Sequence, residues 1–474
     1  MIPSAIRTKL ALPLLFAGLL AARLCHSGIV WVEEAYPSAA AIQMLFGKSL
    51  YRDIWFDKPP LSAALYLLWG AHAGVPLRVA GAIFVFLCCL LIARFARDLW
   101  TAQEGLTAAL LLGFFLTFGI PSAVMAMAPD LLMILPHIAA VYLAWRKRPL
   151  LSGLMAGVAL LVNSKAVFVL AACLLFTGRS WPLLLAGFAL PNAIALAWFG
   201  RAYWDEVWKW GALYSGQAFA LETGLSRSLN WAGFHAAIVV AAAFALWRER
   251  NWRMLAWLIL SAVAVAAGWR FFPRYYFQLL PVLVILAARG YTLLGRKRAI
   301  VWLLLLIPLI RFAPRYVTLA LGREANWSDI RMNQDSREAA NHIGREGTLL
   351  VWGYRPDVFV YTRLPAGTRF LDSQPLTGVL ADRHLTTSEP TAPELAAKNR
   401  RELVSTSPTW IVDGLGPLNP NLAITAYPDL HDWLAAYEVV ARTPYSFVYH
   451  RCGACPWRAA SPLMGPRVPQ PSTP

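Results

Sequence analysis

The sequence predicts an α-helical polytopic membrane protein with a small C-terminal α/β domain. Three observations carry that reading. Only 15% of the 474 residues are charged and 58% are apolar, where a soluble chain carries about 25% charged residues. Mean hydropathy is +0.50. Long uncharged runs alternate with short basic turns up to about residue 314, after which charge density rises and Asn, Asp, Ser and Thr return. Intrinsic disorder, a coiled coil, a secreted disulfide scaffold and a single soluble domain are excluded. The formal charge of +17 is spread over turns between apolar runs, as the positive-inside rule requires, and is not a nucleic-acid footprint.

Runs able to cross a bilayer lie at about 8–27, 76–94, 103–120, 129–145, 150–162, 165–178, 181–200, 229–247, 252–269, 275–290 and 299–313. The first follows Arg7 and Lys9 and is expected to be a retained signal-anchor, because its A-A-R-L flank is a poor cleavage site. The fifth and sixth runs are short, and topology decides whether they merge. With about eleven spans and a cytoplasmic N-terminus, the short inner segments hold 14 basic residues against Asp98, Glu104 and Glu249. Merging the two would put Arg248–Arg253 and Arg296–Arg298 outside. Eleven spans in a cell (inner) membrane, with an extracytoplasmic C-terminal domain, is the expectation.

Two regions lie outside the spans. The first outer loop, about 28–75, predicts a helix from Glu34 to Phe46 closed by Gly47. A loop follows, then an apolar Leu61–Ala73 that is too short to span and fits an interfacial helix. The module 1–313 is followed by a domain over 314–457. There the patterns predict helices at Ser336–Ile343 and near Leu430–Tyr437, and strands at Thr348–Gly353, Thr368–Leu371, Thr409–Val412 and Tyr445–His450. Residues 458–474 are Pro/Ser-rich and predict disorder. Cys25, Cys88, Cys89 and Cys173 lie in apolar runs as small core residues. Cys452 and Cys455 form a CGAC that is either a local disulfide or two thiols; two cysteines are too few for zinc.

The chemistry-bearing residues begin with V-E-E-A-Y at 32–36. Adjacent carboxylates at a membrane boundary cost desolvation, so Glu33 and Glu34 call for a metal, a cation or a proton. Either is a candidate general base for an acceptor hydroxyl. The alternative is a solvated pair capping the next helix. The segment G-K-S-L-Y-R-D-I-W-F-D-K-P-P-L at 47–61 packs Lys48, Arg52, Asp53, Asp57 and Lys58 into an aromatic loop ending in two prolines, which fix the backbone and with it Lys58. Cations there suit a lipid phosphate; ordinary headgroup anchoring is the plainer reading.

These residues resemble the first outer loop of the ArnT-like and protein-O-mannosyltransferase-like (family 39-type) bacterial glycosyltransferases. They belong to the GT-C superfamily of polytopic enzymes using polyprenyl-phosphate sugars. The likeness continues in order through A-P-D at 128–130, G-L-M-A-G-V-A-L-L-V-N-S-K at 153–165, and G-W-R-F-F-P-R-Y-Y-F-Q-L-L-P-V-L at 268–283. V-W-G-Y-R-P-D-V-F-V-Y, T-R-F-L-D and P-L-T-G are similar to the outer domain of a bacterial branch. One departure is Glu33, where the family usually has Asp.

The resemblance implies a GT-C fold and transfer of a hexose or pentose from a polyprenyl-phosphate donor to an extracytoplasmic lipid, glycan or protein hydroxyl. It implies that Glu33 and Glu34 are catalytic, directly or through a divalent metal. Arg52, Asp53, Asp57, Lys58, Lys165, Arg270, Arg274 and Tyr275 would bind the lipid phosphate and sugar. Arginine suits phosphate because its fork makes two hydrogen bonds. Against these stand snorkelling for Arg270 and Arg274, a helix cap for Asp130, and packing for Tyr275 and Tyr276. Trp204, Trp208 and Trp210 are expected to be interface anchors. His26 is the histidine near enough to join the acidic pair as a ligand. A transporter or flippase, and an inactive lipid-binding relative, are the rival functions.

Overall fold

The computed structural model describes residues 4–216, 221–323 and 327–452. Each of the eleven apolar runs contains helix. By length and composition, Val75–Leu99 and the continuous stretch Ser164–Ser215 are long and apolar enough to cross a membrane. Two bent pairs, Leu221–Phe234 with Ala236–Glu249 at 88° and Gly295–Leu303 with Leu306–Ala320 at 41°, raise the number to four if each pair is one span. The others, such as Ala102–Phe115, Pro149–Val162 and Leu280–Leu293, are apolar helices of 10–17 residues. The fold is therefore helical and polytopic, but helix length does not reproduce the expected eleven. Breaks at His235 and at Leu304–Leu305 interrupt runs that are continuous in hydropathy.

Small residues let these helices approach closely. Gly153 and Gly157, four apart on Pro149–Val162, face Trp181–Tyr203, and a methyl on Gly153 would overlap the Leu184 carbonyl. Gly187 returns the contact against Leu150. Gly290 on Leu280–Leu293 lies against the Ala241 carbonyl of Ala236–Glu249 in the same way. The opposite face of Trp181–Tyr203 is apolar and exposed, with Trp198 and Ile194 outward, as expected of a lipid-facing surface.

The first outer loop folds as expected at its start. Helix Val32–Leu45 stands where Glu34–Phe46 was predicted, and Gly47 follows with φ 82°. Leu61–Ala64 and a 3₁₀ turn, Leu65–Trp69, occupy the interfacial segment, with Leu68 pointing outward.

The C-terminal unit holds a four-stranded sheet in the order β1-β2-β4-β3, with β1 Leu349–Trp352, β2 Trp410–Asp413, β3 Tyr437–Thr443 and β4 Ser446–Arg451. β1 runs parallel to β2; β2–β4 and β3–β4 are antiparallel. Alternate residues take opposite faces. Leu349 and Val351 pack on Ala339, Val358 and Phe359 and on Tyr36, Tyr51 and Phe56 of the first loop. Leu350 and Trp352 pack with Trp55, Trp210 and Phe370. Both faces of the sheet thus share a core with the loops of the membrane unit.

Hydrogen bonds follow the same seam. Ala366 N–H donates to Gln43 Oε1 at 2.6 Å, Trp55 N–H to Arg369 O at 2.8 Å, and Asn333 Nδ2 to Val30 O at 2.7 Å. This corrects the strand expected at Thr368–Leu371: Arg369 O bonds the first loop, the Thr368 hydroxyl bonds the backbone of Phe370, and the chain pairs with β1 only just upstream, through Pro365 and Gly367. The predicted helix near Leu430–Tyr437 is the short His431–Leu434. β3 was not predicted, because the middle of this edge strand is exposed and lacks an apolar alternation. The expected boundary at 313/314 falls inside helix Leu306–Ala320. Cys452 is disulfide-bonded. Cys455 and the predicted disordered tail 458–474 lie outside the described residues.

Candidate functional site

A cavity of about 780 Å³ opens where the membrane unit meets the C-terminal unit. Glu33, Asp57, Lys58, Lys165, Arg270, Arg274 and Tyr275 all line it. Seven of the ten residues singled out from sequence are therefore brought together from separate segments of the chain.

The acidic pair is split. Consecutive helical residues point about 100° apart, so Glu33 and Glu34 on the first turn of Val32–Leu45 cannot face one ligand. Glu34 is fully buried and bound bidentately by Arg78. It also accepts Met127 N–H at 3.0 Å and Trp31 N–H at 3.2 Å. Every acceptor position that a substrate would need is taken. The structure does not bring Glu34 to the cavity; its pair with Arg78 joins helix Val32–Leu45 to helix Val75–Leu99. Arg78, an arginine inside an apolar run, was the sequence signal for this partner, since a charge there requires one.

Glu33 faces the cavity, where its Oε1 accepts Arg274 Nη1 at 2.7 Å. Arg274 Nε lies 3.3 Å from Asp130 Oδ2, and Asp130 Oδ1 accepts Asn163 Nδ2 at 3.1 Å. Asp130 belongs to the site, although it also stands in the first turn of helix Pro129–Leu132. Lys165 follows in a 3₁₀ turn started by Asn163, whose side chain accepts Lys165 N–H. The Lys165 Nζ stands 3.0 Å from the Tyr275 ring centroid and has no hydrogen-bond partner among the described residues.

Lys58 and Asp57 are ion-paired at 3.0 Å. Tyr51, at φ 67°, buries its ring and donates its hydroxyl to Lys58 O at 2.8 Å, so the loop is fixed from both sides of Lys58. Arg52 and Asp53 bind each other at 2.8 Å with Arg52 exposed. The structure does not bring them to the cavity, because residues 47–54 turn away toward the C-terminal unit. Arg270 is buried between Trp269 and Phe271, both with positive φ, an arrangement costing about 1–2 kcal/mol per residue. It pairs with Asp382 and donates to Tyr214 O at 2.8 Å.

The C-terminal unit supplies Tyr354, Gln374 and Asp382 to the wall. Tyr354 lies within V-W-G-Y-R-P-D, but Asp382 carries no local sequence signal. Trp208 and Trp210 line the cavity as well, against the expectation of interface anchors; Trp210 packs edge-on to Trp55. Trp204 is half exposed. Behind the wall, burial pushes the Asp372 carboxyl up to about 7, and the Asp57 charge adds to the effect against a hydrogen bond from Gln374 N–H. His26 packs tilted on Trp31 and edge-on to Tyr316, and does not line the cavity.

A divalent metal held by Glu33 and Glu34 does not fit these positions, since one carboxylate is saturated and the other holds Arg274. Among the described residues no group of three or more His, Cys, Asp or Glu is placed to bind one.

No family model matches the chain, and no curated protein matches it in sequence. Solved structures do. ArnT from Cupriavidus metallidurans bound to undecaprenyl phosphate is similar at a TM-score of 0.57 with 15% identity, over 94% of this chain and 99% of that one. The same protein in the apo state gives 0.56 with 15% identity, over 94% and 98%. The chain has an ArnT-like fold, a helical unit carrying a small C-terminal sheet.

Proposed function

We propose that the chain is a membrane glycosyltransferase that moves a sugar from a polyprenyl-phosphate donor to an extracytoplasmic hydroxyl acceptor. The observation that carries this reading is the convergence of Lys58, Lys165, Arg270 and Arg274 on one cavity. These cations share the 780 Å³ with Glu33, Asp57, Asp130 and Asp382. Lys165 Nζ has no hydrogen-bond partner among the described residues, and the set suits an anion whose charge grows as a bond breaks. The C1–O bond to phosphate breaks with its electron pair going to the phosphate, and the acceptor oxygen bonds C1. The acceptor proton leaves to a cavity carboxylate. Polyprenyl phosphate is a good leaving group and needs no general acid.

The fold neighbour holding undecaprenyl phosphate makes that lipid class the first donor to try. The residues assigned to it are Lys58, Lys165, Arg270, Arg274 and Tyr275, with Glu33 holding Arg274 and Asp57 holding Lys58. The proposed division is a membrane module that ends near helix Leu306–Ala320 and an extracytoplasmic sheet domain that completes the cavity wall. The sugar is a hexose or pentose, and the acceptor a lipid, glycan or protein hydroxyl.

The test is donor cleavage. Purified protein in bilayers receives a panel of undecaprenyl-phosphate sugars with a crude envelope extract, and free undecaprenyl phosphate is followed. Release that collapses in Arg274→Ala is expected. Tight lipid binding without release from any donor would move the assignment to transport or lipid binding.

A further inference from the structure

We propose that Asp382 is a built-in counter-ion for Arg270, displaced by the donor phosphate on binding and returned to drive off the polyprenyl-phosphate product. The inference rests on the reading that this cavity takes a polyprenyl-phosphate sugar.

Among the described residues four arginine–carboxylate pairs are largely buried, on Arg78, Arg270 and, twice, Arg355. The Asp357 side of Arg355 is a long contact of 3.9 Å remote from the cavity lining; the other three differ in one respect. Glu34 on Arg78 is saturated by two backbone N–H groups besides the guanidinium. Asp335 on Arg355 is likewise saturated, with Oδ1 accepting Tyr445 N–H at 2.8 Å and Oδ2 accepting Ser446 Oγ at 2.7 Å. Asp382 uses Oδ2 on Arg270 Nη1, while its buried Oδ1 has no hydrogen-bond partner among the described residues. Breaking a buried pair is costly chiefly because the abandoned charge stays unpaired. A half-satisfied carboxylate beside an open cavity is the one of the three that an incoming anion can replace.

The two partners also differ in how they are held. Arg270 is fixed from several sides: Nη2 donates to Tyr214 O at 2.8 Å, the guanidinium lies 4.0 Å from the Tyr214 ring centroid, and Arg227 Nη1 donates to Arg270 O at 2.9 Å. Asp382 sits in the stretch 378–392, which forms turns and bends without helix or strand. The stretch begins at Gly378 with φ 73° and is tied by Ala381 N–H to Gln374 Oε1 at 3.0 Å. The backbone around Asp382 is tied by turn hydrogen bonds, but its side chain is held through Arg270 alone among the hydrogen bonds of the described residues, so the carboxylate is the less tethered partner and Arg270 the one that stays.

The chemistry gives such a carboxylate a task. The donor is a phosphodiester with one negative charge. Cleavage leaves a phosphomonoester whose second ionisation falls near pH 6, so at neutral pH the product carries nearly two. Cations that hold the donor hold the product more tightly, and release becomes the slow step. A tethered carboxylate competing for Arg270 offsets that difference. Asp382 is on this account a positioning residue acting through Arg270.

The experiment measures binding of undecaprenyl monophosphate to the purified full-length chain in nanodiscs, beside Asp382→Asn, Asp382→Glu and the double variant Arg270→Gln/Asp382→Asn. The amide introduced by Asp382→Asn is isosteric with the carboxylate but carries no charge with which to compete for the guanidinium. The expected result is binding tightened by about tenfold in Asp382→Asn, slower dissociation, near-native binding in Asp382→Glu, and no gain in the Arg270→Gln background. Unchanged or weaker binding in Asp382→Asn overturns the proposal while leaving the glycosyltransferase reading intact. Failure of wild type and variants alike to bind overturns both. Amide exchange in wild type guards against a misfolded variant: segment 378–386 should exchange faster when undecaprenyl phosphate binds, and slower exchange there overturns the proposal.

Discussion

Arg274 Nη1 donates to Glu33 Oε1 at 2.7 Å across 241 residues of sequence, tying the first outer loop to the segment that enters helix Leu280–Leu293. The carboxylate holds the guanidinium at the cavity wall, so Glu33 sets where Arg274 meets a phosphate. Arg274→Ala should lower undecaprenyl-phosphate release by about 10²–10³-fold, the usual cost of a lost transition-state donor. Thermal stability should fall as well, since the buried Asp130 loses its cation, so release is compared at a temperature where the variant is folded. Equal release by variant and wild type in the donor assay would remove Arg274 from the phosphate site.

Glu34, one residue on, should behave in the opposite way. Glu34→Gln leaves Arg78 charged and buried without its partner, a loss of about 3–5 kcal/mol. Glu33→Gln removes a partly exposed pair worth about 1 kcal/mol or less. Thermal unfolding in detergent separates them: Glu34→Gln should melt well below wild type and Glu33→Gln close to it. Matching melting temperatures would mean that the pair of Glu34 with Arg78 does not hold the two helices together.

Much of this site was legible from residue types. Lys58, Lys165, Arg270 and Arg274 were each marked by a cation next to proline, aromatic or apolar neighbours, and all reach the cavity. The fate of the acidic pair was not legible, because sequence adjacency does not reveal that helical rotation turns Glu34 inward onto Arg78. Arg52 and Asp53 looked equivalent to Asp57 and Lys58 in composition. Only the turn at Tyr51 and the seam with Arg369 separate them. Asp382 was invisible, being an aspartate in a loop whose partner lies 112 residues away. In the C-terminal unit the buried strands β1 and β2 showed as apolar runs. The exposed edge strand β3 gave no such pattern.

Asp372 gives a pH dependence. Burial raises its carboxyl from the ordinary 3.8 to about 7, so the folded chain holds this proton more tightly than the unfolded one. The associated stability is fully present below pH 4 and is lost as pH rises through 7, by about 1.4 kcal/mol for each unit between. Asp372→Asn keeps an acceptor for Gln374 N–H but does not ionise. Its melting temperature should fall less than that of wild type between pH 5 and 8, and parallel curves would show that Asp372 does not carry the effect.

Close helix packing in the membrane unit rests on glycine. A side chain at Gly153 would meet the Leu184 carbonyl, and the helices Pro149–Val162 and Trp181–Tyr203 would have to separate. Gly153→Leu should destabilise by about 1–3 kcal/mol, the range for overpacking. Because Asn163 and Lys165 follow directly on the first of these helices, donor cleavage should fall too. Gly18, with nothing within 4 Å of an added Cβ, is the control, and Gly18→Ala should leave melting unchanged. An unaltered melting temperature in Gly153→Leu would mean the two helices do not depend on this contact.

The C-terminal unit should be needed for donor cleavage itself, not only for choosing an acceptor. In the structure the unit supplies Tyr354, Gln374 and Asp382 to the cavity wall. Its Arg369 donates to Tyr51 O at 2.7 Å, and Tyr51 in turn holds the Lys58 carbonyl. Removing the domain exposes the shared core around Tyr36, Phe56 and Val351 and frees the loop that fixes Lys58. The milder Arg369→Ala also leaves Glu206 buried without its cation, and should cut undecaprenyl-phosphate release about tenfold or more, as small displacements of positioned groups do. Hydrolytic release, with water taking the sugar in place of the acceptor hydroxyl, separates the two roles. If Arg369→Ala cleaves donor at the wild-type rate and loses only transfer, the domain selects the acceptor and does not position Lys58.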